Sequence, residues 1–319
     1  MCRDLQLHKT TPAPVAAAVR RNFADMCPFH SLAGTMTNYA IIDAARTERN
    51  VVLHVVDLGS ADATQWLILL HLFAKHPGAG AHDEILRLTI VNEEDEFLSV
   101  TGALLAREAE SLHIGFQFHP VKLHINQLLS VEPLGVRSGE ALVIVFTLQL
   151  HHLLADELVV VAARPPDRKG KVRAHATMTR DDALLRDVAE LSPKLMVVNE
   201  QEANHNGEFM GWFNNMLNYM GPCLMPWRRA YLHAGRQWSD RMWNGACSCR
   251  RSGISLPVMA CNAHERMVKW AEQMKAVGLA STTMSADAVA QTVMLGQMVT
   301  GCSRAYRVSS EKDVYFYIH

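Results

Sequence analysis

The chain has 319 residues, 49% of them hydrophobic and 20% charged, with 31 basic and 32 acidic side chains and a formal net charge of −1. That apolar share predicts a sizeable buried core, and the balanced charge gives no electrostatic drive toward DNA or an anionic membrane. No secretory h-region and no apolar run long enough to cross a bilayer are present, so neither a leader nor a span is expected, and the seven scattered cysteines read as free thiols in a reducing compartment.

Residues 1–14 carry no periodic pattern. Pro14 suits the first position of a helix through Val15, Val19, Phe23 and Met26, which Pro28 is expected to end. A second helix is predicted from about Thr37 to Arg46, with Tyr39, Ile42 and Ala45 on one stripe. The centre of the chain follows. Val51–Asp57 is a nearly unbroken apolar run without alternation, interrupted by His54 and ending in a carboxylate, the habit of a strand buried on both faces. Gly59 and Ser60 make the turn, and Trp66, Leu69, Leu70 and Phe73 form the stripe of the next helix. Strand, glycine turn and helix open a doubly wound α/β domain.

The same alternation continues. Ile85–Val91 reads as a strand, Glu94 to Leu112 as a helix, and Phe116–Val121 as a strand. Regular β–α–β spacing argues a parallel sheet with right-handed crossovers. Ala141–Phe146 is a fourth strand, Asp181 to Leu191 a helix, and Lys194–Val198 a fifth strand. Between them, residues 164–173 hold two prolines, a glycine and five basic residues, and read as an exposed loop. A helix is expected from Glu208 to Met220, followed by an irregular stretch over residues 221–262. A further helix runs from Ala263 to Val277 with Gly278 as its left-handed cap. Ser285 caps the next helix, through Val299, and Tyr306–Val308 with Val314–Ile318 suggest an antiparallel hairpin.

Four constellations bear on chemistry. A nucleotide-type cofactor at the first turn would use Asp57, Gly59 and, at the end of the second strand, Glu93 on a ribose. The turn Asp57-Leu58-Gly59-Ser60-Ala61 keeps one glycine, and Ala61 places a methyl group where a second is needed, so no bound cofactor is expected. Cys247, Cys249, Cys261 and His264 supply four zinc-compatible ligands, but C-x-C is tighter than the usual spacing, and the four are expected to be unlinked. His264-Glu265-Arg266-Met267-Val268 starts like a zinc-protease helix, yet Val268 stands where the second histidine is required. Leu150, Leu153 and Leu154 make an L-x-x-L-L pattern, either a face that docks in a partner's groove or one that packs on the sheet. No nucleophile elbow or phosphate-binding loop occurs in the sequence.

Several stretches together resemble one family. Leu53-His54-Val55-Val56-Asp57 is similar to the Val-His-Ile-Ile-Asp motif of plant GRAS proteins, with Gln65-Trp66-Leu67 continuing as in the scarecrow-like branch. Arg137–Leu142 and Leu148–His151 resemble the start of the family's second leucine-rich region. Leu191–Val198, including Pro193, with Glu200–Gly207 resembles the opening of its PFYRE region. His264-Glu265-Arg266, Trp270, Gly278 and Tyr306-Arg307-Val308 resemble its SAW region. The scarecrow-like protein 3 branch fits best. The resemblance implies a single GRAS domain over residues 1–319. Residues 1–50 would be a reduced helical cap, residues 51–319 a Rossmann-like, methyltransferase-related core, and residues 221–262 an irregular insert. It implies a shortened, diverged member, because the N-terminal leucine-rich region is cut to two helices and the family continues past His319 to a Ser-Ala-Trp end. It further implies a non-enzymatic nuclear regulator of transcription in gibberellin signalling and root development. Such a regulator reaches DNA through DELLA or zinc-finger partners and forms homo- or hetero-dimers. Two alternatives stand beside it: a small-molecule methyltransferase using S-adenosylmethionine, suggested by the scaffold, and a diverged paralogue with impaired activity.

Overall fold

The computed structural model describes residues 28–46, 52–59, 63–75, 84–153, 159–160, 177–178, 180–200, 267–300, 308–311 and 315–318. Five strands form the main sheet: β1 (Val52–Leu58), β2 (Ile85–Val91), β3 (Gly115–Val121), β4 (Ala141–Thr147) and β7 (Leu195–Asn199). Their order is β3-β2-β1-β4-β7, and every neighbouring pair is parallel. The chain moves outward from β1 to β3, then returns to the other side of β1 for β4. The topological switch point therefore lies between the C-terminal ends of β1 and β4.

The unalternated strands are buried on both faces as their composition requires: all seven residues of β4 are buried. The expected α/β class holds, and most predicted strands and helices fall within two residues of their places. One face of the sheet presents Leu53, Val55, Leu86, Leu88, Ile90, Val143 and Val145. Against it pack α1 (Pro28–Arg46), α2 (Thr64–Ala74) and α3 (Asp95–Ser111), through Ile41, Ile42, Trp66, Leu69, Leu70, Phe73, Leu98 and Leu105. The other face presents Val56, Leu58, Leu142, Ile144 and Phe146. It is covered by α4 (Leu150–Leu153), α5 (Arg180–Glu190) and α6 (Met267–Ala276), through Leu150, Leu153, Leu184, Leu185, Val188 and Trp270. Each such fully buried side chain stabilises the fold by about 1.5–3 kcal/mol in area terms.

Three points differ from expectation. Pro28 opens α1, where a missing N–H costs nothing, so this helix begins well before Thr37, while the helix Pro28 was expected to end lies outside the described residues. Leu32 and Met36 extend its buried stripe backward. The connection from β3 to β4 carries no α-helix but two 3-10 turns, Ile125–Gln127 and Glu132–Leu134. A short antiparallel pair, β5 (Val159–Val160) with β6 (Thr177–Met178), was not visible as apolar periodicity. The remaining elements are α7 (Ala286–Thr300), which Ser285 caps by accepting from the Ala288 N–H at 3.1 Å, and the antiparallel hairpin β8 (Val308–Glu311) and β9 (Tyr315–Ile318). The predicted helices at 14–26 and 208–220, the basic loop 164–173 and the irregular stretch 221–262 lie outside the described residues.

Candidate functional site

Two polar assemblies interrupt the apolar sheet. The first sits near the start of the strands, on the face carrying Val56 and Ile144. His54 on β1 pairs in register with Arg87 on β2, and Thr89 with His119 on β3, so alternation brings all four to one face. Glu140, immediately before β4, closes the group. Its Oε2 accepts from His54 Nδ1 at 2.7 Å and from the Arg137 N–H at 3.1 Å, and its Oε1 accepts from Arg87 Nη1 at 2.8 Å. His54 is 0% exposed and Arg87 5%. Burial drives the His54 pKa down to about 4, against the opposing pull of Glu140. Burial alone would raise Glu140, but Arg87, the Arg137 backbone and His54 together hold it below the usual carboxylate range. Burial, with Arg87 and Arg137 nearby, also lowers His119.

These directions fix the tautomer. An ionised Glu140 only accepts, so Nδ1 of neutral His54 carries the proton and Nε2 is an acceptor. The Thr89 hydroxyl, 2.8 Å from Nε2, then donates to it; the Leu134 carbonyl at 3.4 Å is the longer alternative. His119 Nε2 donates to the Pro133 carbonyl at 3.2 Å. Gly135, with φ +63°, brings the backbone against Arg87 and His119, where a Cβ would stand 3.2 and 3.3 Å from their side chains. The assembly thus ties the β3–β4 crossover to the sheet. It offers no exposed acid, base or nucleophile.

The second assembly lies at the switch point. Asp57, one residue before the end of β1, is fully buried, and its Oδ2 accepts from Trp66 Nε1 at 2.9 Å, which fastens α2 to the strand. Gly59 has φ +118°, open to glycine and strained for other residues. The Gln149 side chain packs directly on Gly59, where a Cβ would clash with it, and its Nε2 lies 3.4 Å from the Gly59 carbonyl. Asn199 Nδ2 donates to Thr37 Oγ1 at 2.9 Å, and Asn38 Nδ2 to the Gln65 carbonyl at 2.8 Å, so α1 closes the crevice from above. In an open α/β sheet this crevice is where a dinucleotide or similar cofactor sits. Among the described residues, the Gln149 side chain occupies the space over Gly59 that a cofactor's phosphate would approach.

The expected site residues separate accordingly. Asp57 and Gly59 meet at the crevice, whereas Glu93 is exposed on the β2–α3 turn. Leu53, Val55 and Val56 are core, and Trp270 is 1% exposed. Pro193 is half-buried in the turn before β7. Leu150 and Leu153 are 0% and 1% exposed, so the sheet rather than a partner's groove takes them in this structure. Leu154, Glu265, Arg266 and all four zinc candidates, Cys247, Cys249, Cys261 and His264, lie outside the described residues. Sequence reasoning missed Arg87, Thr89, His119, Glu140 and Gln149. Arg87 and Thr89 interrupt an otherwise apolar strand, and that interruption was the available signal.

The model of the GRAS domain family matches residues 2–318. "Scarecrow-like protein 3" of Arabidopsis thaliana is 29% identical over 92% of this chain and 68% of its own length. "Scarecrow-like transcription factor PAT1" of the same plant is 30% identical over 61% of this chain and 36% of its own length, so the chain spans little more than a third of that relative. Among solved structures, SCL7 of Oryza sativa is similar with a TM-score of 0.70, at 20% identity, covering 95% of this chain and 79% of that one. That likeness shows the fold.

Proposed function

The chain belongs to the GRAS domain family, and from that premise we propose that it is a non-enzymatic regulator of transcription that works through protein contacts. The observation that carries the reading is the sealed switch point. Gln149 lies on Gly59 and Trp66 holds Asp57, so the two residues a cofactor would use are engaged internally. Family membership then favours regulation over chemistry on a scaffold otherwise suited to methyl transfer. The likeness to scarecrow-like protein 3 supports a place in gibberellin signalling and root development. The proposed location is the nucleus. The proposed partners are DELLA-type or zinc-finger regulators, with DNA reached through them, and dimers are part of the reading. We take residues 1–319 as one domain, with 1–50 as its helical cap and 221–262 as an insert.

Affinity purification from plant tissue, with imaging of the tagged chain, tests this. Nuclear accumulation and capture of transcription regulators are expected. A chain confined to the cytosol that captures none of them overturns the reading. Calorimetry with S-adenosylmethionine tests the competing enzyme: saturable one-to-one heat would replace the regulator by a methyltransferase.

A further inference from the structure

The turn that carries Gln149 is strained and held from outside. Leu148 has φ +53°, a conformation leucine rarely adopts. Its N–H donates to the Asn199 carbonyl at 2.8 Å. The next two N–H groups, of Gln149 and Leu150, both donate to Glu200 Oε1 at 2.7 Å. One carboxylate oxygen thus accepts two short charge-assisted bonds from the turn, and such bonds are stronger than neutral ones. Glu200 directly follows β7, so the turn after β4 is clamped by the residue that ends the neighbouring strand.

We propose that Glu200 is a latch. It holds the β4–α4 turn in its strained form, and in that form the Gln149 side chain closes the switch-point crevice over Gly59. Backbone strain persists only where surrounding contacts over-determine it, and here Glu200 and Asn199 supply those contacts. Withdrawing the carboxylate lets Leu148 return to an ordinary conformation, and the same rotation carries Gln149 away from Gly59. The crevice then has two states, and the position of Glu200 selects between them. This concerns the closure of the crevice and stands apart from the choice of partner above.

Residue-resolved amide exchange by NMR tests the latch. In the wild-type chain the Gln149 and Leu150 amides are expected to be protected by their bonds to Glu200. Glu200→Ala is expected to speed their exchange about tenfold or more, as loss of hydrogen bonds to a charged group implies. The Gln149 side-chain amide signals are expected to move toward their solvent-exposed positions. The Val143–Val145 amides should keep their wild-type rates. Leu148→Gly relieves the strain with Glu200 in place; added to Glu200→Ala, it should hold the Gln149 side-chain signals nearer their wild-type positions. Unchanged exchange at Gln149 and Leu150 overturns the proposal. So does a uniform acceleration through β4, which would mark general destabilisation rather than a local opening.

Discussion

Replacing Glu140 by alanine is the sharpest test of the polar assembly under the β3–β4 crossover. The substitution removes the acceptor for His54 Nδ1 at 2.7 Å, Arg87 Nη1 at 2.8 Å and the Arg137 N–H at 3.1 Å. Arg87, 5% exposed, is left without its carboxylate in a site built around that charge. Removing one member of a buried ion pair costs about 3–5 kcal/mol. The neighbouring residues 137–139 are exposed, so water reaches the vacated space and the lower end applies, roughly 3 kcal/mol. At about 2 °C per kcal/mol for a chain this large, the melting midpoint should fall by ~6 °C. Arg87→Met in the same chain removes the stranded charge and should recover about 1 kcal/mol or more relative to the sum of the single changes. Thermal and urea unfolding of the four proteins gives the cycle. A loss below about 0.5 kcal/mol for Glu140→Ala, or strict additivity with Arg87→Met, would refute the claim that these charges act as one unit.

Further outcomes follow from the same geometry. His54 stays neutral in the fold down to about pH 4 but charges near 6.5 when unfolded. Its stabilising effect is therefore complete above pH 6.5 and is lost as pH falls toward 4, about 2.5 kcal/mol by pH 4.5. Glu140, whose folded value is depressed, adds a loss of the same sign at lower pH. A pH series of urea midpoints should show this fall, and His54→Gln should flatten the part between pH 6.5 and 4.5. Gly59→Ala places a Cβ against the Gln149 side chain at φ +118° and should cost about 3 kcal/mol, by the same unfolding assay. Adding Gln149→Ala should return the steric part and leave the backbone part. Gly102→Ala in α3 would gain about 1 kcal/mol by helix propensity alone. A Cβ there stands 2.5 Å from the Phe118 ring, so a net loss of about 1–2 kcal/mol is expected instead, and a rise in melting temperature would contradict the packing.

The sheet was legible because β1, β2 and β4 are buried on both faces, and that condition writes itself as continuous apolar runs. The start of α1 was not, because proline signals an end and a beginning with the same letter, and only packing of Leu32 and Met36 decides between them. The crossover over 122–140 was opaque for a different reason. Its second 3-10 turn meets distant partners, His119 and Arg87, while the first is held by a local box of His124 and Gln127, and neither is written as a hydrophobic period. At the crevice, Gln149, whose side chain packs on Gly59, lies 90 residues away in sequence, and nothing local announces it. L-x-x-L-L left docking and packing both open, because the leucine spacing of a groove-binding helix equals that of a core-facing one. Burial of Leu150 and Leu153 separates the two.

The burial of the signature stretch has a consequence for genetics. His54 and Asp57, the two polar letters in Leu53–Asp57, are both 0% exposed, one turned toward the crossover and the other toward Trp66. A missense allele at either position will not separate one binding partner from another. It will lower the amount of folded protein and weaken every association together, as a hypomorph or null. Alleles that cut a single connection in the network belong on the outer faces of the helices, where a change leaves the sheet untouched.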